Sequence, residues 1–377
     1  MLGSIKLSML MGPVPMPVPD FVVEALTSAK IELGSGNTQG GFELTFDVPL
    51  RSRLHGLLMG LGPQAAGGLP IMRVVLMVTV NGRTETVIDG IATDIEAQPA
   101  DGGNAKIIIK GKDLTALMNI QQLPATPLPA MAPSTRVLLL LAKYAAFGVV
   151  PQVIPSVVDE PPLPTELIPQ QQGTDYQYIQ ELADDAGYVF YLEPGPTPGT
   201  SRAYWGPEIR FGAPQPALTT SMDALNNVEQ LSFRFDREAK SIPIVYFHEA
   251  QSHLSIGLPI PDITPMNPPL GLVPPLPPKI EHLSDTGHLS PGLAMMKGLA
   301  FVAQHSDSVF GTGSLDVAKY GRLLKSRQLV GVRGAGLPYD GLYYVKSVSH
   351  DIQRGAYKQN FQLARNGLFS TLPRLPT

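Results

Sequence analysis

At 377 residues the chain exceeds the ~250–300 at which a single hydrophobic core stops growing, so two or more domains are expected. A formal net charge of -4 with no basic run excludes a cationic field for a phosphate backbone, and the absence of cysteine excludes disulfides, thiol nucleophiles and thiolate metal sites. The 38 prolines and 37 glycines argue against an all-helical fold and for short elements joined by rigid turns.

Residues 1–28 read as an irregular arm. Lys6 precedes an apolar stretch, but Pro13, Pro15, Pro17 and Pro19 do not fit the apolar core of a signal peptide. From residue 29 to 120 the pattern is of strands. Lys30–Leu33 and Phe42–Val48 alternate in period two, with Phe42, Leu44 and Phe46 on one face. Leu54–Met72 is uncharged, yet its five glycines with Pro63 and Pro70 would leave backbone groups unpaired in lipid, so it is expected as a loop. Arg73–Val80 is a strand ending in Asn81-Gly82, a dipeptide that tolerates the positive φ of a two-residue hairpin turn. Strands Glu85–Asp94 and Lys106–Lys110 follow around a turn at Asp101-Gly102-Gly103, and a short helix from Asp113 closes the region.

Residues 121–212 look mixed. Ser134 is expected to cap a helix to Phe147, with Gly148 as its left-handed stop and Val137, Leu140, Leu141 and Tyr144 as its apolar stripe. Thr174 caps a second helix whose apolar positions Tyr176, Ile179, Leu182, Ala183 and Ala186 recur before Gly187, and the strand Tyr188–Leu192 follows. Residues 213–369 open with strands Val228–Phe235 and Ile242–His248. Their interruption at 254–280 carries nine prolines, including Pro274-Pro275-Leu276-Pro277-Pro278, a composition that favours polyproline II and cannot join a sheet interior. Ser290-Pro291 opens a helix to Gln304, and Ser314 is expected to cap another to Gln328. Strands Leu329–Arg333, Leu342–Ile352 and Tyr357–Arg365 complete the region, and 370–377 is a short tail.

The two ends of the chain echo each other. Ile88-Asp89-Gly90-Ile91 leads through a strand, a turn and a second strand to Lys112-Asp113-Leu114. Tyr339-Asp340-Gly341-Leu342 leads in a nearly equal length, through a turn at Arg354-Gly355, to Arg365-Asn366-Gly367-Leu368. Asp-Gly before a strand is also ordinary turn chemistry, so the echo admits coincidence or duplication. Under duplication, three copies of a chain with two similar modules present six near-equivalent positions.

The segment Gln172-Gly173-Thr174-Asp175-Tyr176 through Leu182-Ala183-Asp184-Asp185-Ala186-Gly187-Tyr188-Val189-Phe190-Tyr191 resembles the most recognisable helix of the tail hubs of contractile injection machines. That family includes phage baseplate hubs and the hub half of type VI secretion spike proteins. Leu329–Gly336, Tyr339–Val345, Ser349–Ile352 and Tyr357–Phe361 are similar to its C-terminal barrel, and Phe42–Pro49 with Asp89–Met118 to its first barrel. The resemblance implies an α+β, mainly β fold: two tube-like antiparallel β-barrel modules, residues 29–120 and 213–369, with a small α+β region, 121–212, between them. It further implies a structural homotrimer that adapts a hexameric inner tube to a trimeric spike, in contact with other baseplate components and assembled in the bacterial cytoplasm. Only a short tail follows Gly367, so the spike is expected as a separate protein, and the proline-rich arm is not carried over from the family.

No catalytic, cofactor or metal residues are assigned. His248-Glu249 and His350-Asp351 each pair an imidazole with a carboxylate, but strand neighbours point to opposite faces, so both histidines read as surface or core residues. His282 and His288 with Glu281 and Asp285 are too loosely spaced for a metal pattern. Gly34–Gly40 and Gly331–Gly336 fail as dinucleotide fingerprints because no helix follows, and Gly311-Thr312-Gly313-Ser314-Leu315 lacks the closing glycine of a nucleophile elbow. Glu181, Asp184 and Asp185 fall on the polar side of a helix, while Tyr188, Phe190, Tyr191, Tyr343 and Tyr344 read as core or interface. Two rival readings are a tail-delivered cell-wall hydrolase with convergent carboxylates between the middle region and the second barrel, and a module whose proline arm docks into a partner.

Overall fold

The computed structural model describes residues 5–35, 38–52, 55, 71–99, 103–156, 158–165, 168–222, 226–248, 255–260, 268–275, 279–283, 286 and 291–371. Strands β1 (Ile5–Gly12), β2 (Met16–Pro17), β3 (Leu26–Gly34), β4 (Gly41–Pro49), β5 (Arg73–Val80), β6 (Arg83–Pro99) and β7 (Asn104–Asp113) come first. The middle of the chain holds β8 (Gln122–Pro127), β9 (Val149–Val153), β10 (Gln170–Thr174), β11 (Val189–Pro194) and β12 (Ser201–Gly206). Then follow β13 (Gln215–Thr219), β14 (Gln230–Phe235), β15 (Ser241–His248), β16 (Ser255–Pro259), β17 (Gly271–Val273) and β18 (Lys279–Leu283). Strands β19 (Val309–Asp316), β20 (Leu329–Arg333), β21 (Gly341–Gln353), β22 (Ala356–Arg365) and β23 (Leu368–Ser370) end the chain.

One 13-stranded sheet dominates, in the order β14-β19-β22-β21-β3-β4-β7-β6-β5-β1-β2, with β20 and β13 continuing from β21. Its strands arise where period-two apolar residues meet a turn of the right chirality. Between β5 and β6, Asn81 and Gly82 take φ values of 51° and 80°, the paired positive dihedrals of a tight hairpin. The buried face carries Ala29, Ile31, Leu44, Phe46, Ile107 and Ile109 from the first half and Leu315, Val345, Val348, Phe361 and Leu363 from the second, all in one core. Each of these valine, leucine, isoleucine and phenylalanine side chains contributes about 1.5–3 kcal/mol by leaving water.

The middle region has its own core. Helices Pro133–Ala142 and Asp175–Ala186 pack with β11-β12-β9, burying Val137, Leu141, Ile179, Phe190 and Trp205. Thr174 and Gln177 form a reciprocal capping box, and Gly187 at φ 68° ends the helix in the left-handed region, as the sequence predicts.

The structure corrects several expectations. The stretch read as an irregular arm contains β1, which pairs with all of β5, and a short helix, Asp20–Ala25. Pro13 and Pro15 sit in the β1–β2 turn and Pro19 precedes the helix, while Pro17 ends the two-residue strand β2 opposite Leu10. Ser134 does not cap its helix. Pro133 takes the first-turn position, and the Ser134 hydroxyl donates to Asp159. The helix expected from Ser314 is instead the end of β19, with only Val317–Tyr320 helical. Asp316 caps that single turn, and Gly321 at φ 76° stops it. Strands β16, β17 and β18 of the proline-rich segment and its flank pair in small separate sheets, outside the large one. Of the proline cluster, Pro274 and Pro275 are described. Residues 276–278, most of the Leu54–Met72 loop, Asp101-Gly102, Ser290, Glu249, Asp285 and His288 lie outside the described residues.

Candidate functional site

The most informative feature is a repeated connectivity. In the first half, strands in chain order β3, β4, β5, β6, β7 pair antiparallel as β3-β4-β7-β6-β5. In the second, β14, β19, β20, β21, β22 pair antiparallel as β14-β19-β22-β21-β20. First, second, fifth, fourth and third strands are neighbours in both. Even a β-bulge recurs. The β6–β7 ladder skips Thr93 between Ala92 and Asp94, and the β21–β22 ladder skips Lys346 between Val345 and Ser347.

The duplication echoed in the sequence is therefore visible as topology, but not in the register that the Asp-Gly pairs indicate. Aligning the bulges puts Gly90 with Tyr343, not with Gly341, and Asp89-Gly90 lies inside β6 instead of opening it. The two units join through β3 and β21, where Ser28–Gly34 run antiparallel to Gln353–Ser347.

Away from the core, the sheet's other face is polar along β3, the second half of β21, β22 and β19. A hollow of about 420 Å³ on it is lined by Thr38, Gln39, Thr312, Ser349, Asn360 and Gln362, with Glu32 as its carboxylate. Between the middle region and β20, where a hydrolase site was the rival expectation, a hollow of about 190 Å³ contains Tyr191, Tyr204 and one carboxylate, Glu193, which is ion-paired with Arg202. Neither offers the paired carboxylates of general acid and base chemistry. Burial pushes the Asp113 carboxyl up, but it accepts from the N–H groups of Gly40 at 2.6 Å and Thr115 at 3.0 Å. The adjoining gap, about 10 Å³, is too small for a substrate.

His350 is buried with Nδ1 2.7 Å from the Tyr357 hydroxyl, while Asp351 points to the other face beside Gln353. His282 stacks on Tyr246 and meets its hydroxyl at 2.7 Å. His248 pairs with Ser255 in a small sheet. Among the described residues no three His, Cys, Asp or Glu side chains cluster as a metal site. Glu181, Asp184 and Asp185 are exposed, Tyr188, Phe190, Tyr343 and Tyr344 are buried, and Tyr191 is half-buried under Arg327. Gly311 and Gly313 lie beneath aromatic rings, since a Cβ on them would approach Phe233 to 2.8 Å and Phe361 to 2.6 Å. They are packing glycines, not a nucleophile turn.

Two buried ionic clusters escaped sequence reasoning. Arg73 grips Asp89 at 2.6 and 2.7 Å, and Ser201 of the middle region adds a bond to Asp89 at 3.2 Å. Arg210 meets Asp307 at 2.5 and 3.1 Å, lies over the Tyr344 ring at 4.9 Å, and shares Asp307 with Lys346 at 3.0 Å. Both clusters tie the middle region to a β unit. No local pattern announces them, because their members are far apart in sequence.

Neither a protein-family model nor a curated protein sequence matches the chain. Solved structures do. A tail protein from Neisseria meningitidis superimposes with a TM-score of 0.61 at 16% identity, covering 97% of this chain and 98% of that one. A 43 kDa tail protein of prophage MuSo2 from Shewanella oneidensis gives 0.59 at 15% identity, covering 96% and 98%. An E. coli component of the type VI secretion system, described as structurally similar to bacteriophage T4 tail proteins, gives 0.52 at 10% identity, covering 99% and 81%. Over nearly its whole length, this chain has the fold of phage tail proteins and of a type VI secretion component.

Proposed function

We infer that the protein is the structural hub at the tip of a contractile injection machine, a homotrimer that adapts a hexameric inner tube to a separate trimeric spike. The observation that carries this reading is the repeated five-strand connectivity within one continuous sheet. A chain with two like units, taken three times, supplies six similar positions on one side while keeping threefold order on the other. The likeness to two tail proteins over nearly the whole chain supports the tail location. In this reading residues 29–120 and 213–369 are the two tube-like units, each closing toward a barrel in the assembly, and 121–212 braces them. The role in this reading is structural; the hollow expected for a hydrolase contains one carboxylate, Glu193, ion-paired with Arg202, which gives the hydrolase reading no support.

Light scattering or native mass spectrometry on the purified chain tests the reading, first alone and then with its cognate tube and spike proteins. A trimer that captures both is expected. A stable monomer that ignores both refutes it.

A further inference from the structure

We propose that the outer edges of β14 and β6 form one ladder between subunits, in which β14 of one protomer pairs antiparallel with Ile95–Gln98 of the next. The proposal rests on the trimeric reading above and specifies its contact. Among the described residues β14 pairs only with β19, and beyond Ala92 the strand β6 pairs only with β7. Open strand edges of this kind are normally blunted or covered, because they template pairing with another chain.

The chain itself contains the template. In the repeat, β14 occupies the place of β3, and β6 the place of β21, yet β3 and β21 are paired within the chain. The recurring bulge fixes the register. Asp94 with Lys110 corresponds to Ser347 with Gln362, so Ile109 matches Phe361. Leu44 opposite Ile109 then matches Gly313 opposite Phe361. Ala29 opposite Leu44 in turn matches Leu231 opposite Gly313. Carrying the β3–β21 register across places Phe235 opposite Ile95, Arg234 opposite Glu96, Phe233 opposite Ala97 and Ser232 opposite Gln98.

The side chains fit this placement. Phe233, Phe235 and Ile95 are half-buried and lie against the main core, each short of one lateral neighbour. Arg234, 73% exposed and 3.4 Å from Asp236 of its own chain, comes to face Glu96, which is already 2.5 Å from Lys110 and so gains a second cation. Asp94 and Asp236 meet at the far end with like charge, where Arg234 and Arg237 flank them. The contact is head-to-tail, so it repeats around a ring, with each step between chains copying the step that β3 and β21 make within one.

The absence of native cysteine makes the register directly testable. Gln98→Cys with Ser232→Cys places two thiols on facing residues. Asp94→Cys with Ser232→Cys offsets them by four residues, about 13 Å along the strand, beyond disulfide reach. Oxidation of the first variant is expected to give a covalent trimer on a denaturing gel that reverts on reduction, while the second stays single-chain. Light scattering of both variants before oxidation reads the oligomeric state separately. Trimers that fail to cross-link, or that cross-link equally in both variants, overturn the ladder and leave the hub reading standing. Monomers in solution overturn both.

Discussion

His350 sits on β21 opposite Ile31 of β3, at the seam between the two repeated units. It is 4% exposed, its Nδ1 touches the Tyr357 hydroxyl, and its Nε2 has no hydrogen-bond partner among the described residues. Burial pushes the imidazole down from 6.5 to about 3. Between those values the unfolded chain binds a proton that the folded chain refuses, so folding stability rises with pH in that window and is lost as pH falls through it. At pH 5, 1.5 units below the unfolded value, the penalty is on the order of 2 kcal/mol at about 1.36 kcal/mol per unit. His350→Gln retains a hydrogen-bonding group for Tyr357 and cannot titrate. Urea unfolding of both proteins at equal concentration, at pH 7 and pH 5, is expected to show wild type losing on the order of 2 kcal/mol more than the variant. Equal losses, or an imidazole NMR resonance in the folded protein that titrates near 6.5, would refute the reasoning.

Replacing Arg210 with Met leaves the buried Asp307 carboxylate with Lys346 alone and is expected to cost about 3–5 kcal/mol in urea unfolding, most of it recovered by adding Asp307→Leu. Burial pushes the Asp307 carboxyl up, but Arg210 and Lys346 outweigh it and hold the group below its usual range. The loss in the variant is therefore expected to shrink as pH falls and the carboxyl takes a proton. Gly111→Ala places a Cβ 2.2 Å from the Phe42 ring and 2.3 Å from the Ile91 carbonyl, and is expected to lower stability by about 1–3 kcal/mol. Gly41→Ala, whose Cβ meets nothing closer than 3.7 Å, serves as the near-neutral comparison in the same thermal melt. Thr174→Ala removes the capping box and is expected to cost about 1 kcal/mol, read by thermal or urea unfolding.

Strands with an amphipathic alternation and a turn beside them were legible: Arg73–Val80 and Leu329–Arg333 appear with the predicted ends, and β4, β21 and β22 within a residue or two. Helix ends marked by Thr174 and Gly187 were equally readable, since a cap acts locally. What failed was non-local. The β1 segment is a strand because β5 offers it a partner, and its prolines obscured that. Ser314 looked like a cap, but β22 recruits it into a ladder opposite Asn360. The repeat was visible through two Asp-Gly pairs that have different jobs. Asp89 holds Arg73, and Gly90 admits the Lys112 carbonyl, where an added Cβ would lie 2.2 Å away. Gly341 instead supplies a φ of 136° at the start of β21. Their agreement is chemical coincidence laid over a real duplication. Arg210 and Asp307 carry no local signature at all.

The two units differ where difference is tolerated. Between its first and second strands, the first unit has only residues 35–40, whereas the second accommodates β15–β18 and the helix Pro291–Gln304. Helix Pro291–Gln304 packs on β15, and Ala300 closes over Gly187, where a Cβ would come within 2.4 Å of it, so the insertion is braced against the middle region. The antiparallel ladder needs only an alternating apolar face and a bulge in the right place, which lets sequence drift on the polar face without loss of pairing. In the proposed ring, six backbone positions then share one geometry while every second one bears the insertion. Such a ring is sixfold to whatever reads the shared sheet and threefold to whatever reads the insertions, and that is the property required of an adaptor between partners of unlike symmetry.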